Sequence, residues 1–271
     1  MPTQKRLHNA VALLAACVAW TSATSLAAEP APPTPSPAPA PAQAEAQRLS
    51  RKLDELYRAK SSRGKMSMSI KTPNYERTLE MEVLSRGMDD TLVRLLSPAK
   101  ERGTATLKRG NEMWNYLPKI AKTIRVPPSM MMGSWMGSDL TNDDLVRASS
   151  WERDYDVKFA PEAEDASQRC LAYIPRPNAA VTWRRVVACF ERTRELPLKV
   201  EYYDEKGRKA RTMRYSDVRN LGGRSLPTTT TIEPHLDDKR GNVTVMKVLE
   251  MAFEVPVSDD DFSQTALRRP L

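Results

Sequence analysis

The densest run of chemistry-bearing side chains lies between Asn111 and Val146 and reads NEMWNYLPKIAKTIRVPPSMMMGSWMGSDLTNDDLV. Met130, Met131, Met132, Trp135 and Met136 place four methionines and a tryptophan within seven residues. Just upstream, Met113, Trp114, Tyr116 and Leu117 make an aromatic strand end. Methionine is unbranched and polarisable, so clusters of it suit surfaces that accept apolar ligands of varied shape. The segment therefore predicts a mobile lip over an apolar cavity. Met130, Met131, Met132, Trp135 and Met136 would form the adaptable edge, and Trp114, Tyr116 and Leu117 the adjacent wall. The competing expectation is a methionine-rich plug that fills the core and holds no ligand.

Other candidate chemistry is sparse. Asp139, Asp143 and Asp144 invite a calcium reading, but the glycine and acidic spacing of an EF-hand loop is absent. Thr141 with Asp144 three residues on suits a helix N-cap instead, where acids favour the helix dipole. Asp259-Asp260-Asp261 reads as a solvated turn. Only two histidines occur: His8 lies in the leader, and His235 sits in a Glu-Pro-His-Leu loop without a nucleophile motif or metal-ligand spacing. With 10 Gly in 271 residues, no glycine-rich phosphate loop is present. No catalytic residue, metal or cofactor is assigned, and the expectation is a protein that is not an enzyme.

The chain carries 42 Lys+Arg against 34 Asp+Glu, a formal charge of +8. Arg184-Arg185, Arg208-Lys209 with Arg211, and Lys239-Arg240 are interleaved with acids. Together with export, this argues against nucleic acid and for transient contact with an anionic membrane surface or an acidic protein. Export is read from the first 28 residues. Lys5 and Arg6 precede an Ala/Val/Leu-rich segment, and Ser25-Leu26-Ala27-Ala28 supplies the small residues of a signal-peptide cleavage site. Leu14-Ala15-Ala16-Cys17 offers the alternative of a lipobox, with Cys17 acylated. Residues 29–46 hold most of a proline excess, with seven of the 21 prolines between Pro30 and Pro41, and read as an extended linker. Removing residues 1–28 takes two basic and no acidic residues, leaving 40 against 34 and a charge of +6. Cys170 and Cys189 then share an oxidising compartment.

The elements that must position these residues begin with a helix over Gln47 to Lys60, where Leu49, Leu53, Leu56 and Tyr57 share a face. Ser61-Ser62-Arg63-Gly64 is expected to end it. Alternation follows: Met66, Met68 and Ile70 point one way and Ser67, Ser69 and Lys71 the other. About ten or eleven strands without a βαβ rhythm predict one antiparallel sheet over residues 47–271, strongly curved or nearly closed. The cysteines test the register. In a hairpin turning between Ala179 and Ala180, Cys170 and Cys189 stand directly opposite, where they can form a cross-strand disulfide or remain two buried thiols.

The chain resembles the outer-membrane lipoprotein-sorting proteins, the LolA-like family. The similarity runs through Leu53-Asp54-Glu55-Leu56-Tyr57-Arg58, Pro98 to Leu107, Trp114-Asn115-Tyr116-Leu117-Pro118 and Pro127 to Val146. It continues through Pro197 to Gly207, Gly222-Gly223-Arg224 with Pro227, and Phe262 to Pro270. The resemblance implies a mainly β, half-open antiparallel barrel with an N-terminal helix, its concave face covered by helices and a lid. It implies a periplasmic carrier of lipid or lipoprotein acyl chains, or alternatively a lipid sensor or adaptor working with an inner-membrane RND-type transporter. The cavity-lining arginine of the better-understood carriers has no motif here onto which it can be carried over.

Overall fold

The computed structural model describes residues 41–147, 151–179 and 181–271; the leader, Cys17 and the Pro/Ala-rich stretch up to residue 40 lie outside the described residues. Helix α1 spans Pro41–Asp54, beginning and ending six residues before the expected Gln47 and Lys60. The physics of its ends explains the shift. Proline in a first helical turn lacks only an N–H that would have no partner, and Ala42, Ala44 and Ala46 are the strongest helix formers. Residues 41–46, expected as the end of an extended linker, thus open the helix instead. At the other end, Glu55 N still donates to Arg51 O, but the backbone then turns and Ala59 adopts a φ of 53°. Leu56 and Tyr57 leave the helical face and pack with Leu196, Leu226 and Phe253.

Ser61–Gly64 do not form a terminating loop; they open the first strand. The strands are β1 (Ser61–Lys71), β2 (Glu76–Arg86), β3 (Asp90–Ser97), β4 (Ala105–Arg109), β5 (Glu112–Leu117), β6 (Lys122–Arg125) and β7 (Tyr155–Phe159). They continue with β8 (Gln168–Pro175), β9 (Arg185–Glu191), β10 (Pro197–Tyr203), β11 (Lys209–Leu221), β12 (Arg224–Pro234) and β13 (Val243–Phe253). Small residues let β1 begin early: a Cβ on Gly64 would come within 2.8 Å of Glu250 O on β13, so only glycine permits that approach. The sheet has thirteen strands, more than the alternation suggested. The four-residue β6, mostly exposed, is too short to show a period.

All pairings are antiparallel, in the order β6-β5-β4-β3-β2-β1-β13-β12-β11-β10-β9-β8-β7. Every neighbour is consecutive in sequence except β1 with β13. The two edges, β6 and β7, are therefore also consecutive, and the segment from Val126 to Asp154 must pass from one edge of the curved sheet to the other. It carries α2 (Asn142–Arg147) and α3 (Trp151–Asp154). Topology alone makes this segment a roof over one face.

The two-residue period sorts side chains cleanly. On the roofed face, Met68, Ile70, Leu79, Met81, Val93, Leu95, Met113 and Ile232 pack beneath Trp135 and Leu140. Farther round the same face, Tyr155, Val157, Leu171, Tyr173, Val186, Ala188 and Phe190 receive Ala46 and Leu49 of α1. The opposite face is closed in the first half by Phe262 and by Ala266 and Leu267 of α4 (Gln264–Arg268), which cover Leu84, Leu92, Ala105 and Leu107. In the second half, Cys170 and Cys189 pack there with Ala160, Ala172 and Val187. They are direct partners across β8 and β9 and form a disulfide with an S–S distance of 2.08 Å.

Candidate functional site

The roof is fastened to the sheet at points spread around its rim. Trp135 Nε1 donates to Thr106 Oγ1 of β4 at 3.2 Å. Tyr75 Oη, on the β1–β2 hairpin, donates to Gly137 O at 3.1 Å, and Arg77 donates to Met136 O. Asp139 exchanges bonds with Thr244 of β13, its N–H donating to Thr244 Oγ1 and its carboxylate accepting from the same hydroxyl at 2.7 Å. Thr182, between β8 and β9, donates to Asp143 Oδ2 at 3.2 Å.

The firmest attachment is the buried ion pair between Asp144 of α2 and Arg211 of β11. Arg211 Nη1 and Nη2 donate to Asp144 Oδ2 and Oδ1 at 2.6 and 2.5 Å, a two-pronged geometry. Thr141 N and Oγ1 also donate to Asp144 Oδ2, and Asp144 N returns a bond to Thr141 Oγ1; this is the helix cap expected from the Thr141–Asp144 spacing. One carboxylate therefore caps the roof helix and ties it to the wall. Burial alone would push the Asp144 carboxyl up, but the Arg211 guanidinium and the Thr141 bonds hold it below the usual carboxylate range. The Arg211 guanidinium also lies 4.1 Å from the Tyr202 ring centroid and 4.9 Å from that of Trp183. Burial pushes the Tyr202 phenol up to about 12.

Beneath the roof lie two chambers. The first, about 270 Å³, is aromatic: Trp151, Tyr155, Tyr173, Trp183, Tyr202 and Tyr215 line it, with Arg211, Asp143 and Asp144 at its roof side. Its rings interlock, with Trp151 and Tyr173 centroids 4.9 Å apart and Trp183 and Tyr202 5.2 Å apart. The second, about 210 Å³, is lined by Met66, Met81, Val83, Val93, Met246 and Met251, with Trp135 closing it from above. Tyr57, Arg58, Leu140 and Leu145 line both, so the two chambers meet at a common partition.

The sequence-derived site residues fall in different places. Trp135 is buried and lines the methionine chamber. Met131 and Met136 are partly buried against the same core. Met130 and Met132 are 60% and 50% exposed on the outer side of the roof, where Thr182 Oγ1 approaches Met132 Sδ at 3.1 Å. Trp114 and Tyr116 pair with Leu107 and Ala105 and pack on the face away from the chambers, beside Phe262. Leu117, opposite Lys122 at the end of β5, lines neither chamber. Alternation along β5 turns Met113 inward and Trp114 outward.

Arg58 and Arg211 are the residues that sequence reasoning missed. A signal for Arg211 exists: it shares inward parity on β11 with Met213 and Tyr215, an arginine in step with an apolar face. His235 is hydrogen-bonded through Nε2 to Thr212 Oγ1 at 2.8 Å, at the end of β12. Among the described residues no group of three or more His, Cys, Asp or Glu side chains could hold a metal, and no helix is long and apolar enough to cross a membrane.

A curved antiparallel sheet with an N-terminal helix is consistent with a LolA-like half-barrel. The chain belongs to a family, described as an uncharacterized protein, whose pattern matches residues 87–269. Three solved structures share its fold. A DUF1329-family protein from Desulfovibrio piger is 24% identical, with a TM-score of 0.70 over 83% of this chain and 99% of that one. A LolA-superfamily protein from Nitrosomonas europaea is 26% identical, with a TM-score of 0.68 over 82% and 98%. An outer-membrane lipoprotein-sorting protein domain from Vibrio parahaemolyticus is 20% identical, with a TM-score of 0.69 over 84% and 100%. No curated protein matches.

Proposed function

We propose that the protein is a periplasmic carrier that takes lipid or lipoprotein acyl chains into the space beneath its roof for movement toward the outer membrane. Residues 1–28 would direct export to that compartment. The observation that supports the reading is the pair of mainly apolar chambers under a segment fastened at its ends and rim. A chain lying there leaves water at a gain of about 0.8 kcal/mol per methylene, so part of one chain suffices for useful affinity. Trp135, Met131 and Met136 would press on the bound chain, and Met130 and Met132 would guide it in. The similarity to a lipoprotein-sorting domain supports the same reading. Mass spectrometry of organic extracts from the purified mature protein is the test. The expected result is a co-purifying or exchangeable lipid at near-stoichiometric amount; its absence, together with failure to bind an added acyl probe, overturns the proposal.

A further inference from the structure

The methionine chamber has a polar end. Arg58, Thr91, Ser62 and Ser85 line it there, while Met66, Met81, Met246 and Met251 form the body. Among the described residues, Arg58 is the one charged side chain lining this chamber. Its hydrogen bond to Thr91 Oγ1 is long at 3.4 Å. This contrasts with Arg211, which a carboxylate neutralises at 2.5 Å. Ser62 and Ser85 are already bonded to each other at 2.7 Å, so the guanidinium and the Thr91 hydroxyl are the groups placed to receive a ligand. Directly across from Thr91 lies Lys108, whose buried ammonium donates to Met88 O and Asp89 O and adds positive potential at this end. Burial pushes the Arg58 guanidinium below its ordinary value, and the charges of Asp54 and Asp89 only partly offset this; neither carboxylate lines the methionine chamber.

We propose that the methionine chamber is a head-and-tail site for a single-chain amphiphile: Arg58 and Thr91 bind an anionic oxyacid head, carboxylate or phosphate, and the hydrocarbon lies among the methionines. The inference rests on the reading of the cavity as an acyl-chain site and adds the ligand's charge, its orientation and the number of chains. A guanidinium facing an apolar chamber is costly to leave without a partner, and an uncharged head leaves it so. An anionic head supplies two charge-assisted bonds in the fork geometry that arginine offers. The chamber volume, about 210 Å³, holds part of one chain and leaves no room for a second.

The test uses the mature chain at neutral pH and three sixteen-carbon probes below their aggregation limits: palmitate, hexadecyl phosphate and hexadecanol. Calorimetric titration is expected to show the two anions binding at least about tenfold tighter than the alcohol, the ratio one charge-assisted hydrogen bond supplies. Arg58→Gln should remove that preference and leave the affinity for the alcohol unchanged. Arg58→Lys should keep part of the preference. Arg63→Gln, the same charge change on the opposite face, should keep all of it. Thr91→Val should weaken the anions several-fold and spare the alcohol, which keeps the test decisive if Arg58→Gln does not fold. The ratio of palmitate to phosphate identifies which head the site favours. Equal binding of all three probes by the wild type, or a preference that survives Arg58→Gln, overturns the anion site while leaving the carrier reading intact. Failure of every probe to bind overturns both.

Discussion

The two chambers share a roof and a partition, yet they are built on opposite principles. The aromatic chamber is braced: its rings interlock, Arg211 is neutralised by Asp144, helix α1 is pinned to it by the Tyr173 Oη bond to Ser50 Oγ at 3.0 Å, and a disulfide lies behind its wall. The methionine chamber has flexible unbranched walls, no disulfide behind it and a cation that no carboxylate in its lining matches. Rings with two torsions each keep their shape, whereas methionines follow the shape of what they hold. One chamber is suited to hold the roof in place and the other to adapt to a guest.

The sharpest way to break this comparison is to remove one arginine partner. Asp144→Ala leaves a guanidinium, 5% exposed, without its carboxylate and should lower unfolding free energy by roughly 3–5 kcal/mol in urea titration. Adding Arg211→Met should recover most of the loss, since a buried pair replaced by apolar groups is often neutral. Arg58→Gln in the other chamber should change stability by no more than about 1 kcal/mol. Equal losses in the two chambers would refute the contrast. The same pair sets a pH dependence. The Asp144 carboxyl is depressed in the fold, so its contribution is full above the unfolded value near 3.9 and is lost as pH falls through the folded value.

Next in size is the disulfide. Cys170→Ser with Cys189→Ser should cost about 3 kcal/mol, because the bridge closes a loop of 19 residues' separation in the unfolded chain. Hydrogen exchange is expected to rise first in β8 and β9 and to leave β1 to β3 unaffected. A uniform rise across the sheet would show that the two chambers do not open independently.

How far these features could be read in advance follows from the range of the forces involved. The β8–β9 register and the cysteine pairing are local to one hairpin, and counting from its turn places them. The Thr141–Asp144 cap is likewise a three-residue pattern. Alternation says that Trp114 and Tyr116 share a face but not which one, since that depends on the C-terminal residues Phe262, Ala266 and Leu267 arriving about 150 positions later. The Asp144–Arg211 pair spans 67 positions and five strands, beyond any periodicity. The helix was misplaced because a proline-rich composition suggests an extended linker, while at a helix start proline is tolerated.

A smaller effect concerns Lys108, the β4 partner of Thr91. Burial, reinforced by Arg58, pushes its ammonium down to about 8 from an ordinary 10.5. Between those values the unfolded chain binds a proton that the folded chain does not, so stability should rise with pH across that window, by roughly 2 kcal/mol. Lys108→Met should flatten the rise in pH-dependent melting. An anionic amphiphile bound at Arg58 should move the rise to higher pH, which links this titration to the chamber's occupancy.

The smallest stability effects are expected on the roof's outer side, where they separate the two expectations for the methionine cluster. Trp135, buried and bonded to Thr106, is a packing residue, and truncating it should cost about 3 kcal/mol or more. Met130 and Met132 are half or more exposed, so Met130→Ser and Met132→Ser should each change stability by less than about 0.5 kcal/mol. If they guide chains under the roof, stopped-flow uptake of an acyl probe should slow in the double variant while its equilibrium affinity stays close to the wild type. A kinetic change with no stability change assigns these two methionines to a path rather than a core. A loss of stability would instead make the whole cluster, Trp135 included, a plug.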